Sequence, residues 1–63
     1  MFKYNLKKLR QERNLTQEKL AELSGVPQST ISDMECNKTD AKTSTLIMLA
    51  KCLNTAIDKL IEY

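Results

Sequence analysis

Sixty-three residues allow one domain, expected to span residues 1–63, and ten Lys plus Arg against eight Asp plus Glu leave a net charge of only +2, which excludes the polycationic character of a histone tail or basic arm. With 41% hydrophobic and 29% charged residues, the chain has the balance of a small folded globule and not of a disordered tail. The lack of histidine, the single glycine and the two cysteines, Cys36 and Cys52, exclude a four-ligand zinc site and leave no evident base, nucleophile activator or phosphate-cradling loop. No enzymatic activity, metal or cofactor is expected, and both thiols are expected to be reduced. The longest unbroken apolar run, Leu46–Ala50, is far below the ~18 residues of a membrane span. Because charge also interrupts the N-terminal apolar residues, no signal-peptide core is present, and a cytoplasmic location away from membranes is expected.

One glycine and one proline are too few for a β-rich domain, which needs turn residues about every 8–12 positions. An all-α fold follows. Leu6, Leu9, Arg10 and Arg13 share a helical face and predict a first helix over about 3–13, ended by Asn14. Thr16 is a good N-cap, Leu15 and Leu20 are placed for a hydrophobic staple, and a second helix runs from Gln17 to about Ser24. Gly25 stands where that helix stops and supplies a left-handed residue. Pro27 opens a third helix, over about 27–36, whose inward face carries Ile31, Met34 and Glu35; Asn37 ends it. Lys38–Lys42 is a polar loop. Leu46, Leu49, Ala50 and Leu53 mark a fourth helix, and Thr55 with Asp58 three residues on predicts a capping box opening a short fifth helix through Ile57, Leu60 and Ile61. The expected architecture is a compact five-helix bundle.

The stretch Gln17–Cys36 carries the functional signal. Two helices joined by about three residues around a glycine must cross steeply, which requires a small residue where the axes meet. Ala21 is that residue, with Gly25 four positions on and Ile31 six beyond it. The run Asn14-Leu15-Thr16-Gln17-Glu18-Lys19-Leu20-Ala21-Glu22-Leu23-Ser24-Gly25-Val26-Pro27-Gln28-Ser29-Thr30-Ile31-Ser32 closely resembles the central motif of the Cro and lambdoid-repressor family, also called XRE-type regulators. Leu46–Leu53, Asn54, Thr55 and Leu60-Ile61 resemble that family's last two helices, so the resemblance covers nearly the whole chain. It implies a helix-turn-helix repressor that binds double-stranded DNA sequence-specifically, with the third helix in the major groove and its N-terminal residues on base edges.

The helical wheel independently turns Ser29, Ser32, Asp33 and Cys36 outward, with Gln28 projecting from the first turn. Glutamine pairs bidentately with adenine, serine reaches several base edges, and aspartate accepts from cytosine N4. Gln28 and Ser29 best match the family's base-reading positions. Gln17 matches a position that contacts DNA backbone and supports the residue corresponding to Gln28. Residues 1–19 hold a net charge of +4 and residues 20–63 a net of −2, so the basic footprint is local. Lys38 and Lys42 flank the third helix and are the leading phosphate contacts, with Lys19 behind them; for each lysine, simple solvation is the competing reading. Arg10 lies on a core-facing stripe and requires a partner. The family joins the positions of Arg10 and Glu35 in an ion pair, which assigns both to structure.

Three residues depart from the family pattern. Pro27 stands where a Ser or Thr N-cap is frequent, Asn37 replaces a frequent glycine, and Asp33 puts a negative charge among the base readers. Asp33 either reads cytosine or repels phosphates, and the sequence leaves both open. Asp33 and the modest net charge also support an alternative, a protein-interaction module such as an antitoxin or antirepressor partner on the same fold. One recognition helix reads too few base pairs for specificity, so a homodimer on a palindromic operator is expected, at least on DNA. Ile47 and Met48 extend the apolar surface of the fourth helix beyond one face and, with Ile61 and Tyr63, are the candidate dimer surface. The competing place for Met48 is over the core beneath the 38–42 loop. The operator sequence, the regulated genes and any inducer are not legible in the chain.

Overall fold

Three asparagines held in the left-handed region, Asn14 (φ 56°), Asn37 (φ 57°) and Asn54 (φ 52°), end helices in this chain, and Gly25 (φ 79°) ends a fourth. The computed structural model describes residues 3–62. Its helices are α1 (Leu6–Glu12), α2 (Gln17–Ser24), α3 (Gln28–Glu35), α4 (Thr43–Cys52) and α5 (Ile57–Leu60). After each asparagine the next residue donates its N–H five positions back: Leu15 to the Arg10 carbonyl (3.1 Å), Lys38 to Asp33 (2.8 Å) and Thr55 to Ala50 (2.9 Å). Those bonds satisfy carbonyls that a helix end otherwise leaves unpaired. Asparagine tolerates the left-handed region because its short polar side chain bonds locally, whereas most L-residues lose about 1–2 kcal/mol there. Asn54→Val is therefore expected to lower stability by about 1–2 kcal/mol in urea melts, with Asn54→Gly close to the parent; equal midpoints for all three would remove the asparagine from the account of how α4 ends.

The first helix is shorter than its pattern suggested. Lys3–Tyr4 forms a strand, β1, antiparallel to β2 (Ile61–Glu62), with Lys3 opposite Glu62 and Tyr4 opposite Ile61. Helical propensity at residues 3–5 loses to this pairing, which gives the backbone a ladder and ties the two ends of the described chain together. The Asn5 N–H adds a 2.8 Å bond to the Leu60 carbonyl. Pro27 is also placed differently from expectation: it precedes α3 with an extended ψ of 140°, and its carbonyl accepts from Thr30 (3.0 Å) and Ile31 (3.2 Å), so Gln28 is the first helical residue. Cys36 likewise falls just past the end of α3. The Thr55–Asp58 capping box does not form. Thr55 closes α4 instead, and Ala56 stands at the cap of α5 with no side-chain bond.

The core gathers one stripe from each helix. Leu6, Leu20, Ile31, Met34, Leu49, Leu53 and Leu60 are fully buried, joined by Val26, Leu46 and Ala50, with Leu15 and Ala21 packed at its edge. Val26 in the α2–α3 turn pins the connection to the core, and its N–H bonds the Ser24 hydroxyl at 3.1 Å. Among the described residues no helix is long and apolar enough to cross a membrane.

Candidate nucleic-acid interface

The Thr16 hydroxyl accepts the Lys19 N–H at 3.0 Å and starts α2, Gly25 ends it, and three residues later α3 begins. The spacing of Gln28, Ser29, Ser32 and Asp33 places them along one side of α3. Gln28, Ser29 and Asp33 are exposed, Ser32 is half-buried, and Ile31 and Met34 on the opposite side are fully buried. Ser32, expected on the outward face, sits at the margin of the stripe. Lys38 and Lys42 are exposed in the loop after α3, and Cys36 is exposed at its end. Lys19 lies 3.6 Å from Glu22, an exposed pair on α2.

Arg10 fixes the orientation of α3. Its Nε donates to Glu35 Oε2 at 2.8 Å and its Nη2 to Glu35 Oε1 at 3.0 Å, a bidentate geometry, while Nη1 donates to the Leu15 carbonyl at 2.7 Å. The two side chains keep only 11% and 4% of their exposure. One guanidinium thus joins α1, the turn before α2, and α3. Burial pushes the Glu35 carboxyl up, but the hydrogen bonds from Arg10 and Gln17 and the positive charges of Arg10 and Lys7 outweigh it and hold the group below the usual carboxylate range. Arg10 is raised above its ordinary value by the bond to Glu35.

Gln17 occupies a place the sequence did not indicate. Its Nε2 donates to Glu35 Oε1 at 3.1 Å, so the amide N–H is engaged by the ion pair, and the half-buried side chain braces the start of α2 against the end of α3. Eighteen positions separate the partners, beyond any local motif. Ile47 (39%) and Met48 (40%) are exposed, as is Leu23 (55%) on α2, a residue the apolar pattern did not single out. The Met48 methyl lies 3.4 Å from where a Cβ on Gly25 would stand. Met48 therefore lies against the turn between α2 and α3. Ile61 is half-buried against the core, and Tyr63 lies outside the described residues.

A helix-turn-helix family model matches residues 6–60. The chain belongs to the helix-turn-helix family. Within that family it is 44% identical over 57 residues to the control protein C.SmaI of Serratia marcescens, covering 90% of this chain and 68% of that protein. The crystal structure of the restriction-modification controller protein C.AhdI from Aeromonas hydrophila matches with a TM-score of 0.83 at 29% identity, over 87% of this chain and 83% of the other. The resemblance read from the α2–α3 motif is thereby confirmed: this helix-turn-helix protein is a DNA-binding transcriptional regulator of the XRE type.

Proposed function

We propose that this regulator controls transcription of restriction-modification genes, as the description of C.AhdI as a restriction-modification controller protein suggests, by binding a palindromic operator as a homodimer in the cytoplasm and acting as a repressor. The observation that carries the reading is the exposed polar stripe Gln28, Ser29, Asp33 on a helix whose other side is fully buried and locked by Arg10 and Glu35. In this reading Gln28 and Ser29 meet base edges, with Ser32 and Asp33 further along the groove. Lys38 and Lys42 meet phosphates, and the N-terminal turn of α2, braced by Gln17, offers backbone N–H groups to a phosphate.

The size of the molecule supports pairing on such an operator. The longest axis of the molecule is 25 Å, shorter than the roughly 34 Å between successive major-groove faces, so one copy reaches one half-site. Ile47 and Met48 supply exposed apolar surface for the pairing, and Ile61 and Tyr63 are proposed to join it, Tyr63 lying outside the described residues. Ile47 also borders a groove of about 440 Å³ with Ala50, Lys51 and Ile57.

Titrating fluorescent duplexes at several salt concentrations tests the binding mode. The expected result is a log-linear fall of affinity with salt, with a slope reflecting several displaced counterions. A protein-interaction module on this fold would show no such slope.

A further inference from the structure

We propose that Tyr4 is a positioning residue for DNA binding: its hydroxyl is a strut that sets the loop carrying Lys38 and Lys42. The inference rests on the phosphate-contact reading of those two lysines. The Tyr4 oxygen accepts the Ala41 N–H at 3.0 Å across 37 positions of sequence. Two bonds at the front of the loop are local: the Lys38 N–H reaches the Asp33 carbonyl at 2.8 Å, and the Thr39 hydroxyl reaches the neighbouring Asp40 carbonyl at 3.4 Å. On its other side the loop stands off the recognition helix. A groove of about 330 Å³, bordered by Thr30 and Asp33 of α3 and by Thr39, Lys42 and Thr45, lies between them. The Tyr4 bond to Ala41 thus falls between the Lys38 end of the loop, tied to α3, and Lys42, whose carbonyl accepts the Leu46 N–H at 3.0 Å at the start of α4.

Tyr4 is itself well held. It pairs with Ile61 in the two-strand ladder, and the next residue, Asn5, bonds the Leu60 carbonyl through its backbone (2.8 Å) and the Lys59 carbonyl through its side chain (3.3 Å). The half-buried phenol thus transmits the position of the C-terminal end of the fold to the loop. Without the hydroxyl, the Ala41 N–H turns to water and the loop must be ordered when DNA binds. That moves an entropic cost from folding into binding.

Tyr4→Phe removes the hydroxyl and keeps the ring. The expected effect is a loss of affinity of about three- to tenfold on every duplex, matching the usual net worth of one hydrogen bond, with the preference between a selected and a scrambled duplex unchanged. Amide exchange at Ala41 is expected to quicken. In a Lys38→Ala, Lys42→Ala background the same change is expected to alter affinity less than twofold, because the groups it positions are gone; a general structural effect would be equal in both backgrounds. Parent-like binding by Tyr4→Phe, or an equal loss in both backgrounds, overturns the strut while leaving the lysines' role intact. Parent-like binding by the double-lysine variant overturns the phosphate reading and the strut with it.

Discussion

Arg10→Ala is expected to destabilise the fold by about 3–5 kcal/mol, because it strands the Glu35 carboxylate, only 4% exposed, without its bidentate partner. A core this small supplies roughly 3–5 kcal/mol of stability in all, so the variant is expected to be largely unfolded by circular dichroism without denaturant. Removing both charges is expected to be milder. Arg10→Met combined with Glu35→Leu recovers much of the loss, since two apolar side chains of similar volume need no solvation. Recovery stays incomplete because the Leu15 carbonyl and the Gln17 amide lose the partners they have now. The acid limb of stability follows from the same site. A depressed carboxyl contributes stability that is fully present above its ordinary value of 4.5 and is lost as pH falls through the lower value of the folded state. Glu35→Gln is expected to remove that part of the acid dependence. If Arg10→Ala melted with the parent, the pair would not be what holds α3 in place.

Gln28→Ala is expected to cost about 1–3 kcal/mol on the preferred duplex and to relax discrimination at one position per half-site. Gln28 is the first residue of α3 and is exposed, so the fold itself should melt as before. Lys38→Ala is the contrasting case: it weakens all duplexes alike and lowers the salt slope by about one. Quantitative gel shifts on a preferred and a scrambled duplex separate the two. Indistinguishable behaviour of the variants would show that base reading and phosphate anchoring are not divided between helix and loop as described.

The parts of the fold governed by local chemistry were legible in the chain. Thr16, Gly25, Asn14 and Asn37 mark where α1, α2 and α3 start and stop because capping and left-handed φ depend on the residue in place and its immediate neighbours. The inward side of α3 followed from its period, which also left Gln28, Ser29 and Asp33 outside. Apart from the Arg10–Glu35 pair, which the family resemblance implied, contacts between distant residues were not legible. The Tyr4–Ile61 pairing converts three expected helical residues into strand and a cap, and no pattern within residues 3–5 signals it. Thr55 and Asp58 had the spacing of a capping box, yet Asn54 had already assigned the Thr55 N–H to the end of α4. Gln17 shows the same limit at the site: its residue type suited a phosphate contact, and only the approach of α1, α2 and α3 revealed that its amide belongs to Glu35.

Selecting bound duplexes from a random pool, and counting the copies of the chain on the winner by sedimentation, tests the central claim most directly. The account predicts a palindrome whose half-site centres lie one turn apart, about 34 Å, bound by two copies. A pool that emerges unenriched, or a selected site that is asymmetric and holds a single copy, would contradict it.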